Sequence, residues 1–248
     1  MFTIFGAFLA EFGAGRFFFK LANSITRGLT AASAKTAVIF STLLGMISGS
    51  AAGNVAVTGS FTIPMMKREG YQPHQAGAIE AVVSTGGQIM PPVMGAAAFI
   101  MAEIVGTPYV NIMKAGLMPA LLFFISVLFV VPLQAVKSGI KPQERDGVAD
   151  EPLVWVFLKG LPFAIPFISL VGMMIVGFSP VKSSFYAIVI LLMLNLVATR
   201  DLSTEFLLKI GRATIAGVKS AVPISIACAA AGIISGTLSI TGLGSKLS

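Results

Sequence analysis

The stretch Gly45-Met46-Ile47-Ser48-Gly49-Ser50-Ala51-Ala52-Gly53-Asn54 decides the fold, because it is small and polar at the centre of an apolar segment. That segment, Thr36 to Met66, holds 31 residues without a formal charge. As a single α-helix it would measure about 46 Å, whereas the hydrocarbon core of a bilayer is about 30 Å thick. It is too long for one upright span and too short for two. The sequence therefore predicts a re-entrant helical hairpin over about residues 36–66.

The distribution of basic residues supports this hairpin. If Thr36 to Met66 enters and leaves on one side of the membrane, 14 of the 17 Lys and Arg residues fall on one face. If it crosses once, the division becomes 7 against 10. Cytoplasmic loops carry an excess of Lys and Arg, so we expect the hairpin to open toward the cytoplasm. Its turn is expected inside the molecule, because non-helical backbone at membrane depth needs protein or a water-filled cavity around it.

The composition excludes most classes of soluble protein. Of the 248 residues 56% are hydrophobic and 11% are charged, whereas average globular proteins have about 25% charged residues. The single Cys228 and single His74 exclude disulfide frameworks and metal sites that need several thiolates or imidazoles. The net charge of +7 comes from Lys and Arg between apolar runs, where they orient spans. We expect an all-α polytopic membrane protein whose surroundings are a lipid bilayer, and no nucleic acid as a partner.

The uncharged stretches also suggest how the chain is organised. Residues 1–136 are predicted to form a first repeat with the hairpin and a broken helix over about 81–103. Residues 137–152 are predicted to be a charged cytoplasmic linker, and residues 153–248 further transmembrane helices and the start of a second repeat. Helical spacing of apolar residues predicts interfacial helices at 26–34 and 202–219; plain solvated loops are the alternative. The predicted spans besides the hairpin are a partial one at 2–10 and complete ones at 81–102, 115–136, 160–181, 183–199 and 220–245.

The helix expected at 81–103 is interrupted by Ser84-Thr85-Gly86-Gly87-Gln88-Ile89-Met90-Pro91-Pro92. The paired glycines free the backbone and the paired prolines remove two N–H donors, so the helix must break and leave carbonyls unpaired. Secondary transporters place ion and substrate sites at such breaks. A proline kink that only shapes packing is the alternative. Two polar interruptions, one in the hairpin and one in the next span, favour a transport site.

The oxygens at these two interruptions are mostly neutral, which suits Na⁺ better than a divalent ion that prefers several carboxylates. The candidate Na⁺ ligands are Ser48, Ser50, Asn54 and Thr85. Ser and Thr also serve as helix packing contacts, an alternative that applies equally to Thr58. Glu80 and Glu103 flank the broken span, one expected near each interface, and are candidate coupling acids for a proton or a cation.

An enzymatic function finds no support in the sequence. Gly45-Met46-Ile47-Ser48-Gly49 is one residue longer than the Gly-x-Ser-Gly of an intramembrane serine protease, and His74 lies in a charged loop. A nucleophile without a base in reach is not a catalytic site, and no phosphate-binding Gly-Lys-Ser/Thr loop is present in the sequence. We expect no catalytic residues and no cofactor, with Na⁺ as the coupling ion.

The sequences Gly45 to Tyr71 and Ser84 to Glu103 resemble the large membrane subunit of tripartite ATP-independent periplasmic (TRAP) transporters, most closely the fused TAXI-type permeases. The resemblance implies a Na⁺-driven secondary importer of an organic acid or similar small solute in the inner membrane of a bacterium or archaeon. It implies elevator-type movement, an extracytoplasmic substrate-binding protein and a small membrane subunit or its fused equivalent. The residues that match the family's substrate and ion sites are Ser48, Gly49, Ser50, Asn54, Thr58, Thr85, Gly86, Gly87, Pro91 and Pro92.

Such folds contain two inverted repeats, and the chain offers two registers for them. Gly45 to Ser50 is similar to Gly232 to Thr237, and Gly13 to Gly15 is similar to Gly242 to Gly244. Only the second pair starts on opposite sides of the membrane, so we expect an incomplete inverted repeat whose second hairpin begins near position 265. On this expectation the 248-residue chain alone does not transport. The alternative function is a non-transporting membrane scaffold or assembly subunit whose glycines serve helix packing.

Overall fold

The computed structural model describes residues 1–140, 153–199 and 204–241, and every regular element in these residues is helical. The elements are α1 (Phe2–Glu11), α2 (Ala14–Thr26), α3 (Ala32–Ser48), α4 (Ala51–Glu69), α5 (Pro73–Gly86), a short 3-10 helix (Gly87–Ile89), α6 (Ala96–Val105), α7 (Tyr109–Lys137), α8 (Leu153–Ile175), α9 (Pro180–Thr199) and α10 (Thr204–Thr241). The architecture agrees with the predicted all-α membrane protein.

Three of these helices are long and apolar enough to cross a membrane: α7, residues Pro180–Val197 of α9 and residues Thr204–Ile234 of α10. The pair α1 and α2, bent by 74° at its break, could supply a fourth span. The spans predicted at 115–136 and 183–199 lie within α7 and α9. The span predicted at 160–181 is shorter, because α8 ends at Ile175 and the chain turns before Pro180.

Helices α3 and α4 form the predicted helical hairpin, with a turn of two residues; its re-entrant position in the membrane stays a prediction. Gly49 adopts a left-handed conformation with φ +60° and its N–H donates to the Gly45 carbonyl at 3.1 Å, which ends α3. Ser50 then caps α4, because its Oγ accepts from the Gly53 N–H at 3.2 Å. At the open end, the Ser33 N–H donates to Glu69 Oε2 at 3.0 Å. The hairpin extends slightly beyond the predicted limits, over 32–69.

The predicted helix break is also present. Helix α5 ends at Gly86, the 3-10 helix follows, and α6 begins only at Ala96. The peptide bond between Pro91 and Pro92 is cis and Met94 has φ +55°. The predicted start of this helix at Ala81 is wrong, since α5 begins at Pro73 and Glu80 lies in its second half. The prediction failed because it took every formal charge as the end of a span, whereas Glu80 is completely buried.

The predicted interfacial helices are wrong as separate elements. Residues 27–31 form a turn between α2 and α3. The described part of 202–219 is continuous with the last span and forms the first turns of α10. The linker at 137–152 starts at the end of α7, but residues 141–152 lie outside the described residues, as do Gly242 to Gly244, so the repeat register stays a prediction.

Two apolar clusters hold the helices together. One includes Phe5, Phe40, Leu170 and Leu191, and joins α1 and α3 to α8 and α9. The other lies beside the hairpin and includes Met66, Val83 and Phe124 from α4, α5 and α7. The first cluster also includes Val93 and Met94 of the helix break, so apolar packing reaches the hairpin and the break.

Candidate functional site

The turn of the hairpin and the break after α5 contact each other. A Cβ added to Gly45 would lie 2.5 Å from Gly87 Cα, so the two backbones touch at a pair of glycines. A Cβ on Gly49 would lie 2.2 Å from the Met94 carbonyl oxygen. The Val93 N–H donates to the Met46 carbonyl at 3.3 Å. We call the residues 45–54 and 86–95 together the paired breaks; they are adjacent because glycine permits this approach.

Tyr109, at the start of α7, holds the second break in place. Its hydroxyl lies 3.0 Å from the Pro92 carbonyl oxygen and 2.5 Å from that of Val93. Two carbonyls of the non-helical segment before α6 therefore share a protein donor. The sequence analysis did not identify Tyr109, although a tyrosine 17 residues after a Pro-Pro pair and at the start of a helix is a candidate for this role.

Polar atoms without partners accumulate at the hairpin turn. Asn54 is completely buried, and its Nδ2 donates to the Ser41 carbonyl at 2.9 Å. Among the described residues its Oδ1 has no hydrogen-bond partner, and neither does the buried Oγ of Ser48. A buried polar atom left unsatisfied costs about 1–3 kcal/mol. These two oxygens are available to a ligand.

Glu80 forms a second polar cluster, which we call the hydroxyl cage. Its carboxylate accepts hydrogen bonds from four hydroxyl groups on three helices. Ser41 Oγ of α3 donates to Oε1 at 3.0 Å, Thr62 Oγ1 of α4 to Oε2 at 2.5 Å and Ser84 Oγ of α5 to Oε1 at 2.9 Å. Thr58 of α4 also bonds to Oε1. The five side chains are all buried.

The sequence contained a signal for this cage that the analysis overlooked. Thr58 and Thr62 on α4 and Glu80 and Ser84 on α5 are each four residues apart, so each pair lies on one face of its helix. The two faces meet because α4 and α5 pack against each other, with Met66 and Val83 in the same apolar cluster. Glu80 lies inside the bundle, where hydroxyls replace water around its carboxylate; its predicted depth near a membrane interface stays a prediction.

The other predicted site residues are distributed unevenly. Ser48, Gly49, Asn54, Gly87, Pro91 and Pro92 lie in the paired breaks, and Thr58 lies in the hydroxyl cage. Gly86 is packed against the Phe123 ring, where a Cβ would lie 2.1 Å from Cε1. Ser50 and Thr85 are exposed; the first caps α4 and the second donates to the Ala81 carbonyl at 2.7 Å. Glu103 is exposed on α6 and takes no part in either cluster.

Comparison with known proteins agrees with this architecture. The whole chain, residues 1–248, matches the family described as "Tripartite ATP-independent periplasmic transporter, DctM component". An uncharacterised protein of Sinorhizobium fredii, y4mL, is 27% identical over 190 residues, which are 76% of this chain and 45% of that protein. YgiK of Salmonella typhimurium, also uncharacterised, is 27% identical over 189 residues, which are 76% of this chain and 43% of YgiK.

The matched region thus spans less than half the length of either relative. The family is one of transporters rather than enzymes, and the apolar helices agree with a multi-pass membrane protein. Since the family match covers every residue, the chain belongs to the DctM family, the large membrane component of TRAP transporters.

Proposed function

We propose that the chain is part of the permease of a Na⁺-coupled, binding-protein-dependent secondary transporter that imports an organic acid or a similar small solute. The observation that carries the proposal is the contact between the two breaks, with the Ser48 and Asn54 oxygens buried beside it. Secondary transporters use unwound backbone and neutral oxygens at broken helices to coordinate Na⁺. A cation there would satisfy atoms that the described protein leaves without partners.

An anionic substrate also finds suitable partners in this region. Helix α4 begins at Ala51, directly after the hairpin turn, and α6 begins at Ala96, directly after the second break. Helix N-termini carry a partial positive charge and unpaired N–H groups. We propose that these two ends bind the negative group of the solute, with Na⁺ bound by Ser48 and Asn54 on the same paired breaks.

The proposed topology places α3 and α4 as a re-entrant hairpin that opens toward the cytoplasm, in the inner membrane of a bacterium or archaeon. The hydrogen bond between Ser33 and Glu69 supports the hairpin itself, because it holds the two ends of the hairpin together. Single cysteines at Arg27 and Lys67, in a Cys228→Ala background, should react with an impermeant thiol reagent from the same side. Labelling from opposite sides would contradict both the hairpin and its orientation.

The proposed partners are an extracytoplasmic substrate-binding protein and a small membrane subunit, or a fused equivalent as in TAXI-type permeases. Movement of the site across the membrane is proposed to follow the elevator type. The support for both is membership of the DctM family. Co-purification with a binding protein encoded beside this chain is the simplest check of the first partner.

The test of Na⁺ coupling uses two asparagines with similar hydrogen bonds. Asn54 Nδ2 donates to the Ser41 carbonyl and Asn195 Nδ2 to the Leu191 carbonyl, each at 2.9 Å. In proteoliposomes with the complete transporter and its binding protein, Asn54→Ala should raise the Na⁺ concentration for half-maximal uptake by about tenfold, as losing one ligand contact worth about 1.4 kcal/mol does. Asn195→Ala should leave it unchanged. Equal uptake in choline or Li⁺ buffer, with only a proton gradient, would contradict Na⁺ coupling and point to Glu80 or Glu103.

A non-transporting scaffold is the second candidate, and one observation favours it: the contacts of Gly45 with Gly87 and of Gly86 with Phe123 also serve helix packing. The two functions differ in ion binding. A scaffold gives no Na⁺-dependent stabilisation and no gradient-driven uptake, whereas a permease gives both.

A further inference from the structure

Glu80 is a carboxylate in the interior of a helical bundle, and its surroundings are chemically unusual. It is completely buried, and no ion pair joins it to a basic side chain among the described residues. An ionised carboxylate in such a place is costly unless another charge compensates it. Four hydroxyls solvate the group but carry no net charge.

The hydroxyls of the cage have alternative acceptors. Thr58 Oγ1 lies 2.8 Å from the Asn54 carbonyl oxygen, and Thr62 Oγ1 lies 3.0 Å from that of Thr58. A hydroxyl hydrogen rotates to suit its partner. When the hydrogens of Thr58 and Thr62 point to these helix carbonyls, the oxygen lone pairs are free to face Glu80. The same side chains can therefore solvate an anion or help to coordinate a cation.

We propose that Glu80, together with Ser41, Thr58, Thr62 and Ser84, binds one Na⁺ ion. The proposal rests on the proposed Na⁺-coupled transport and adds a second cation site to the one at Ser48 and Asn54. One carboxylate and several neutral oxygens give an electrically neutral site with a monovalent ion, whereas a divalent ion prefers several carboxylates. Among the described residues no group of three or more acidic, His or Cys side chains could form a divalent site.

The cage is connected to the paired breaks through Asn54. The Asn54 side chain donates to the Ser41 backbone carbonyl, and the backbone carbonyl of Asn54 lies within hydrogen-bonding distance of the Thr58 hydroxyl. Binding of Na⁺ at Glu80 would reorient the Thr58 hydroxyl and so favour one geometry of the turn. The bound ion would also neutralise the buried carboxylate. This matters because a bare charge opposes movement through a low-dielectric region. An elevator with this site moves readily only when the ion is bound.

The experiment compares the thermal unfolding of the purified protein in NaCl and in choline chloride at equal ionic strength. Sodium should raise the Tm of the wild type. In Glu80→Gln the apparent Na⁺ affinity of this effect should fall at least about tenfold, the loss that even an outer hydrogen-bond partner of a metal ligand causes. The Tm of this variant in choline should equal or exceed that of the wild type, because the amide removes the buried charge and keeps the shape.

Two further variants make the test independent of how Glu80→Gln folds. Thr62→Val keeps the shape of the side chain and removes one proposed ligand, so it should also weaken the Na⁺ effect. Glu205→Gln removes an exposed carboxylate at the start of α10 and should leave the Na⁺ effect unchanged.

Three results would overturn the site. An unchanged Na⁺ effect in both Glu80→Gln and Thr62→Val would place the ion elsewhere and leave the proposed function standing. A Tm of Glu80→Gln that falls equally in both salts would show a purely structural carboxylate. A wild type whose Tm does not respond to Na⁺ would contradict both this site and Na⁺ coupling.

Discussion

Two similar stretches of this chain fold differently. Gly45-Met46-Ile47-Ser48-Gly49-Ser50 ends a helix at Gly49 and starts the next one at Ala51. Gly232-Ile233-Ile234-Ser235-Gly236-Thr237 lies within the uninterrupted helix α10. In the first stretch, Cβ atoms added to Gly45 and Gly49 would meet Gly87 and Met94. Among the described residues nothing lies within 4 Å of a Cβ added to Gly232 or Gly236.

The difference teaches that the neighbours, and not the motif, decide whether this sequence turns. Gly49 is held in the left-handed region beside the Met94 carbonyl and is followed by a capping serine. In the part of the chain that the structure describes, no other segment lies within 4 Å of a Cβ built on Gly232 or Gly236. Because one copy is a turn and the other a helix, the similarity does not relate two hairpins.

The largest effect is expected from an alanine substitution at Gly49, compared with the same substitution at Gly236. In Gly49→Ala the left-handed conformation costs about 1–2 kcal/mol and the forced packing about 1–3 kcal/mol, so the free energy of unfolding should fall by roughly 2–5 kcal/mol. Gly236→Ala should instead stabilise α10 by up to about 1 kcal/mol. Thermal unfolding in detergent measures both. Equal effects of the two substitutions would contradict the comparison.

A smaller effect is expected where a single hydroxyl is removed, once from the hydroxyl cage and once from α10. Ser84 donates to buried Glu80, and Ser225 on α10 donates to the Ala221 carbonyl of its own helix while exposed. Hydrogen bonds to charged groups contribute about 1.5–3 kcal/mol, so Ser84→Ala should destabilise by that amount. Ser225→Ala should stay within about 0.5 kcal/mol. Similar Tm values for the two variants would mean that the cage contributes little to stability.

The smallest effect is expected at the cap of α4. Ser50→Ala removes the acceptor of the Gly53 N–H and should cost about 1 kcal/mol, whether or not Na⁺ is present. Ser60→Ala, where an exposed hydroxyl bonds to the Val57 carbonyl, is the matched control. A loss seen only in Na⁺ buffer would identify Ser50 as an ion ligand rather than a cap. No loss in either buffer would contradict both roles.

The sequence predicted the hairpin because 31 uncharged residues are too long for one upright span, and it predicted the broken helix because paired glycines and prolines interrupt one. The contacts that fix the turn at Gly49 come from another segment and are not visible in the sequence. Charge alone, however, misplaced the start of α5, because Glu80 is solvated by hydroxyls from two other segments that a linear reading cannot bring together. The role of Tyr109 depends in the same way on a tertiary contact. Ser50 stays a predicted ion ligand; the structure adds a capping role, because its Oγ accepts from the Gly53 N–H.

The central claim is that the hairpin turn and the helix break form one site. The most direct test is a disulfide between cysteines at Met46 and Val93, in a Cys228→Ala background, because the Val93 N–H bonds to the Met46 carbonyl at 3.3 Å. Disulfides need Cα atoms about 4.4–6.8 Å apart. The pair at Met46 and Ile233 is the control, since Ile233 is exposed on α10. We predict efficient oxidation of the first pair and none of the second; equal yields from the two pairs would contradict the account.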